Sequence, residues 1–254
     1  MSELTHLLER TIVIEAPRSL VFRYFTDSAR WASWWGAGST IDARPGGSVL
    51  IRYPNGVQVF GEVIEIEEPE RVVFTYGYES GKPIPPGASQ VTIRLEPAEN
   101  GTRLRLTHAF ADADIRDQHI AGWRFQLSIF ANLVANELHA GAANIVDAWF
   151  AAWVIGDAAE RVRSLEAIAA PHVRFRDRYA SIDGHADLND HIGAALRFMP
   201  GIRLERKGAV RHCQHVLLVD WVAKGPDGAE RMSGVSVIAL DAQGKITSVT
   251  GFAD

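Results

Sequence analysis

The hydrophobic and polar positions fall into two successive blocks, each made of helices and a run of strands. Residues 8–15 open the first block. There Thr11, Val13 and Glu15 alternate against Ile12 and Ile14, the period of two expected of a half-buried strand. Pro17 starts a helix at a position where its missing N–H costs nothing, with Leu20, Val21, Tyr24 and Phe25 as the apolar face. Asp27 or Ser28 then caps a short helix carrying Trp31, Trp34 and Trp35. Strands are predicted at 48–53, 57–67, 71–77, 90–96 and 102–110. Pro45-Gly46-Gly47, Pro54-Asn55-Gly56 and Glu99-Asn100-Gly101 punctuate them. Residues 80–87 hold three prolines and read as a surface loop.

Residues 114–139 read as one long helix with two apolar stripes. Ile120, Trp123, Leu127, Phe130, Val134 and Leu138 form the stronger stripe; Ile115, Phe125, Ile129 and Leu133 form the other. A helix with two apolar faces is covered on both sides. The first stripe is expected to close over the N-terminal sheet, the second to meet the C-terminal domain or another subunit.

Gly141 marks the boundary, which gives domains at 1–140 and 141–254. A helix with Ile145, Val146, Trp149, Phe150 and Trp153 ends near Gly156-Asp157, and a second covers 159–169. A strand at 172–177 leads into Gly184 and a helix through His191 to Phe198, stopped by Pro200-Gly201. Four strands follow at 203–213, 215–224, 230–240 and 245–252. Both halves are therefore α+β, with helices on a curved antiparallel sheet.

Composition narrows the function classes. A chain of 254 residues is long for one such domain and comfortable for two. The net charge is -5 and no Lys/Arg run exceeds two residues, which argues against a nucleic-acid surface. The first six residues lack a signal-peptide pattern, and no apolar run approaches the roughly 20 residues needed to span a bilayer. With Cys213 as its single cysteine the chain can form no internal disulfide, which fits a reducing cytoplasm. Cys213 itself reads as a small buried hydrophobe. The histidines show no zinc-type spacing, and His212 and His215, read as three apart on a strand, face opposite ways. Arg44-Pro45-Gly46-Gly47 precedes a strand rather than following one, so no phosphate loop is expected. No metal and no cofactor are predicted.

Val173, Phe175 and Asp177 share one strand face, which carries Asp177 inward at the strand's end. Asp177 is the best candidate for a general base. His191 follows on a helix and is a candidate acid or base near neutral pH. Asp220 alternates with Trp221 and is expected to point away from the pocket. The N-terminal wall candidates are Trp31, Trp34, Trp35, Phe60, Phe74, Trp123, Leu127 and Phe130; such side chains fill cores as readily as they line pockets. His108 and His119 each offer one polar contact. In the C-terminal half the ligand-binding candidates are Trp149, Trp153, Tyr179, Trp221 and Ser236.

Six pieces in order resemble the Hsp90-ATPase-activator-homologue family of the START/Bet v 1-like superfamily. These are Ile14-Glu15-Ala16-Pro17 with Phe25-Thr26-Asp27, then WASWWG at 31–36, Arg44-Pro45-Gly46-Gly47, residues 61–66, residues 69–74 and Gly122-Trp123. The resemblance implies a helix-grip fold with a hydrophobic cavity, and through the family name a chaperone link. Trp149 to Asp157, Phe175-Arg176-Asp177, Gly184 and the run 234–252 resemble NTF2-like/SnoaL-like proteins. That resemblance implies a cone-shaped α+β barrel, polyketide-cyclase, isomerase or dehydratase relatives, and a homodimer through the open sheet face. Against the ketosteroid isomerases it departs twice: Trp149 stands at the helical tyrosine and Ser236 near the second carboxylic acid. The expected function is binding of a small hydrophobic or aromatic molecule in one or both cavities, with acid/base chemistry in the C-terminal one. The alternatives are a non-catalytic sequestering protein and a chaperone-linked interaction module.

Overall fold

The computed structural model describes residues 3–254. Tertiary contacts divide the chain into two compact units, Met1–Ala135 and Asn136–Asp254.

The first unit follows the order β1 (His6–Ile14), α1 (Arg18–Arg23), α2 (Ser28–Trp35), β2 (Thr40–Ile41), β3 (Ser48–Arg52), β4 (Gln58–Glu67), β5 (Arg71–Tyr78), β6 (Ser89–Ala98), β7 (Gly101–Phe110), α3 (Ala113–Gln118) and α4 (Ile120–Leu138). Its strands form one antiparallel sheet in the order β1-β7-β6-β5-β4-β3-β2. Asp27 caps α2, its carboxylate accepting from the Arg30 N–H at 2.8 Å, which satisfies one of the donors a helix start leaves open. The helix ends at Gly36, at φ 145°, where a Cβ would lie 2.2 Å from the Arg52 carbonyl oxygen. Only glycine admits that close approach.

The stronger stripe of α4 is buried as the spacing predicts, with Trp123, Leu127, Phe130 and Val134 inside. Phe130 meets the rings of Tyr24, Phe25 and Trp34 at 5.5, 5.0 and 5.0 Å between centroids, and the Tyr24 hydroxyl donates to the Leu133 carbonyl at 2.9 Å. The single long helix expected over 114–139 is instead two helices. At His119 the backbone N–H turns to the Arg116 carbonyl, while the ring Nδ1 takes the Ile115 carbonyl at 2.7 Å. A side chain thus replaces the helical bond, and the axis breaks there.

The second unit contains α5 (Ala142–Ala152), α6 (Ala158–Ile168), β8 (Ala169–Arg176), β9 (Ser181–Asp183), α7 (His185–Phe198), β10 (Arg203–Cys213), β11 (Val216–Lys224), β12 (Glu230–Leu240) and β13 (Ile246–Ala253). Its sheet runs β10-β11-β12-β13-β8-β9. Every pair is antiparallel except β13 with β8. Both halves thus have the α+β character that the sequence patterns predict. The core gathers Val146, Trp149, Leu165, Val173, Leu188 and Ile238, each at most 2% exposed. Arg161, also buried, donates to Asn189 Oδ1 at 2.7 Å and to the Ile155 carbonyl at 2.6 Å, tying α6 to α7 and to the end of α5.

Three expectations fail for local reasons. Phe60 is not a cavity wall: it alternates with buried Val59 and is 36% exposed on the other face of β4. Cys213 is exposed rather than buried. His212 and His215 do not lie three apart on a strand, because Gln214 and His215 form the β10–β11 turn at φ 45° and 68°, the left-handed pair that a tight hairpin needs. The turn gathers His212 and His215 with His139, whose Nε2 lies 2.8 Å from His215 Nδ1. Among the described residues no group of three metal-ligating side chains has metal-binding geometry.

Phe130→Ala is expected to lower unfolding free energy by about 3–5 kcal/mol, since it removes a buried ring. Phe60→Ala is expected to change it by about 0.5 kcal/mol or less, as for other exposed sites. Urea melts of the two variants check the inward and outward assignments.

Candidate functional site

Each unit encloses its own cavity. The N-terminal one has a volume of about 610 Å³ and is lined by α2, the β3–β4 turn, β5, the α3–α4 break and α4. Of the predicted walls, Trp34, Trp35 and Trp123 line it. Trp31, Phe74, Leu127 and Phe130 do not; they are 0–3% exposed and fill the core beside it. The reason is spacing. On a short helix such as α2 only part of the apolar face can reach a cavity, and Trp31 points instead to β3, where its Nε1–H donates to the Leu50 carbonyl at 3.1 Å.

Its polar groups were largely invisible in the sequence. Tyr53, Tyr76 and Tyr78 line the cavity with His119. The phenols are linked, Tyr53 to Tyr76 at 3.1 Å and Tyr76 to Tyr78 at 3.4 Å, and Tyr78 meets His119 Nε2 at 3.1 Å. The available signal was Tyr76 and Tyr78, two apart and so on one strand face. Tyr53 joins them only because β3 and β5 both flank β4. Burial pushes the Tyr53 phenol up to about 12, and drives Tyr76 well above the usual range with the neighbouring phenols adding to it. These groups stay uncharged at neutral pH.

A second chain of bonds lies behind them. Trp123 Nε1–H donates to His108 Nδ1 at 2.9 Å. The Ser89 hydroxyl donates to the Tyr76 carbonyl at 2.8 Å, so its 2.9 Å contact with His108 Nε2 is made by the imidazole N–H. His108 is therefore the neutral Nε2–H tautomer. Burial, and then the nearby His119, hold its pKa well below the ordinary value. Burial also lowers His119, although its bond to the Ile115 carbonyl opposes this.

The C-terminal cavity has a volume of about 470 Å³. Trp149, Trp153, Tyr179 and Trp221 line it together with Asp177, His191 and Ser236. Tyr179 is nonetheless 74% exposed, at the rim. Asp220 points away and pairs with Arg211 at 2.8 Å. Asp177 sits just beyond β8, half-buried, and its Oδ1 accepts from the Tyr179 and Ala180 N–H groups at 2.8 Å each. That turn fixes the carboxylate and leaves Oδ2 without a protein partner among the described residues. Ser236 is buried, and its hydroxyl has no protein partner there either. Asp177 Cβ and Ser236 Oγ lie 3.7 and 3.9 Å from the point where a Cβ on Gly251 would stand. The missing side chain at Gly251 therefore opens the space between them. His191 presents its ring to Trp153 at 5.9 Å and Phe175 at 5.6 Å. Trp153 Nε1–H is buried without a hydrogen-bond partner. Asp177, His191, Ser236 and Trp153, with Arg178 on the same lining, thus form a small polar set in an otherwise apolar wall, the usual composition of a ligand site.

Residues 15–135 match the family model described as activator of Hsp90 ATPase homolog 1-like protein, and residues 146–249 match that of the SnoaL-like domain. The chain therefore joins an AHSA1-like, Bet v 1-like domain to a SnoaL/NTF2-like domain. It is similar to a SnoaL-like family protein from Agrobacterium tumefaciens str. C58, at 27% identity over 44% of this chain and 95% of the other, with a TM-score of 0.42. It is also similar to a protein from Chromobacterium violaceum, at 26% identity over 51% and 96% and a TM-score of 0.44. An Aha1 dimer from Colwellia psychrerythraea is 18% identical over 48% and 90%, with a TM-score of 0.42. No curated protein matches the chain. No helix among the described residues is long and apolar enough to cross a membrane.

His108 is held neutral in the fold, so the unfolded chain binds the extra proton first. Stability conferred by neutral His108 is complete above the ordinary histidine value of about 6.5 and is lost progressively as pH falls below it. Urea melts between pH 7.5 and 4.5 are expected to show that fall, and His108→Gln is expected to flatten it. An unchanged slope in the variant would place the pH dependence elsewhere.

Proposed function

We propose that this two-domain chain binds a small, mostly apolar molecule in its C-terminal cavity, and that Asp177 moves a proton beside a carbonyl of that molecule. The supporting observation is the group of polar side chains in an apolar wall: Asp177 and the Ser236 hydroxyl flank one open spot at Gly251, with His191 lining the same cavity. A volume of about 470 Å³ suits a compact ring system. In this reading Asp177 is the general base, held in place by its turn. The Ser236 hydroxyl supplies a donor for the oxygen on which charge develops, and His191 returns or relays the proton. The SnoaL-like match is consistent with isomerase-type or cyclase-type chemistry, and the fold alone selects no substrate.

A second reading is favoured by one feature. Two backbone N–H groups already bond Asp177 Oδ1, which ties the side chain into its turn. On that reading Asp177 closes a turn and orients a ligand that is stored rather than changed.

Deuterium exchange at the carbon beside the carbonyl, followed by NMR across a panel of small cyclic ketones and enones, separates the two. The proposal expects wild-type exchange on at least one member, reduced about 100-fold or more in Asp177→Asn. Asparagine keeps the Oδ1 acceptor, so binding of the same compound is expected to stay within a few-fold. Binding without exchange in the wild type would leave only the storage role.

A further inference from the structure

The N-terminal cavity presents a second, chemically distinct site, independent of the C-terminal reading. Among its described lining residues there is no Asp, Glu, Lys or Arg. Its walls are aromatic edges and faces: Trp35 meets Tyr53 at 5.8 Å and 89° and Trp123 at 5.5 Å and 73°, while Tyr76 meets Tyr78 at 5.7 Å and 89°. Such a surface accepts another aromatic ring with specific geometry.

Proton counting gives the polar part of the site a direction. The Ile115 carbonyl can only accept, so His119 Nδ1 carries its proton and Nε2 is bare in the neutral ring. Tyr78 therefore donates to His119. Tyr76 donates to Tyr78, and having one proton it must accept from Tyr53. The relay runs Tyr53 to Tyr76 to Tyr78 to His119 to the Ile115 carbonyl. Its open end is the Tyr53 oxygen, whose proton is committed and which receives no hydrogen bond among the described residues. Tyr53 is only half-buried, next to the exposed turn 54–57 that also lines the cavity. Trp35, another lining residue, holds its buried Nε1–H without a hydrogen-bond partner. The cavity wall thus combines an acceptor at Tyr53, a spare indole donor, aromatic surfaces and no countercharge.

We propose that this cavity binds an uncharged hydroxyarene whose O–H donates to the Tyr53 phenol oxygen. A phenolate or a carbonyl brought to the same point would face a lone pair. Engaging the Tyr53 proton instead would strip Tyr76, which is 2% exposed, of its donor; an unsatisfied buried polar group is costly. A phenolate would also be buried without a cation among the lining residues. The high-lying phenols and the neutral His119 keep the relay in this state across the physiological range.

The test uses the full chain with 4-nitrophenol and its O-methyl ether, 4-nitroanisole, which has the same ring and no donor. Calorimetry at a pH where the phenol is neutral is expected to show 4-nitrophenol binding at least about tenfold tighter, the worth of one good hydrogen bond. Absorbance titration is expected to show the bound 4-nitrophenol ionising at higher pH than the free compound. Tyr53→Phe, which keeps the ring, is expected to erase the discrimination and to leave the 4-nitroanisole affinity nearly unchanged, while lowering the urea midpoint modestly because Tyr76 loses the hydrogen bond it accepts. The proposal is overturned if neither compound binds, if the ether binds as well as the phenol, if the bound phenol ionises at lower pH, or if Tyr53→Phe keeps the preference. Asp177→Asn is expected to leave all of these readings in place, so failure here and failure of the C-terminal proposal are separable.

Discussion

The hydrogen bond from the Trp123 indole to buried His108 is the interaction on which the N-terminal half depends. It joins α4 to β7, and the imidazole then reaches Ser89 and, through it, the Tyr76 carbonyl. One helix and three strands are tied by polar groups that are all buried. Losing any member would strand buried partners at a cost of about 1–3 kcal/mol. The same chain fixes the tautomer of His108 and keeps it uncharged, so no ion enters this part of the core. Because α4 is held above the sheet in this way, the space beside Trp123 stays open as a cavity, while Leu127 and Phe130, one and two turns on, close down as core.

The two cavities use opposite electrostatic designs within one chain. The N-terminal one is lined by neutral phenols, indoles and amides, with its hydrogen bonds running in one direction. The C-terminal one places a carboxylate and an imidazole against indole and alkyl walls. In the first, the relay leaves one phenol oxygen able to accept. In the second, the turn after β8 engages one Asp177 oxygen and spares the other. Gly251 contributes by absence, because β13 runs past both Asp177 and Ser236 with no side chain between them.

The break at His119 shows how local chemistry overrides pattern. Apolar spacing carried straight through 114–139, and nothing in it marked an interruption. The imidazole taking the Ile115 carbonyl is a side-chain event, and it both ends α3 and orients His119 toward Tyr78. The His139, His212 and His215 group arose similarly. A hairpin turn with two left-handed residues brings together rings that strand alternation would have separated, and burial then lowers His139 to about 4, with His215 and His212 adding to it.

The sequence by itself determined the two-domain organisation, the α+β class of each half and the inward strand face ending at Asp177. It also showed the aromatic stripe on α4 and the outward turn of Asp220. These are periodicities and caps, set by residues a few positions apart. Which aromatics became core and which became wall was decided only in three dimensions. Trp31 and Trp35 sit on one helix face, yet one bonds Leu50 and the other borders open space. The Tyr53–Tyr76–Tyr78–His119 relay likewise needs β3, β5 and the α3–α4 break in register, a condition no local pattern encodes. A cavity is volume left by packing, and its polarity depends on which donors remain uncommitted after every buried group has found a partner. Both quantities are sums over the whole fold, so they exist only once the chain has closed.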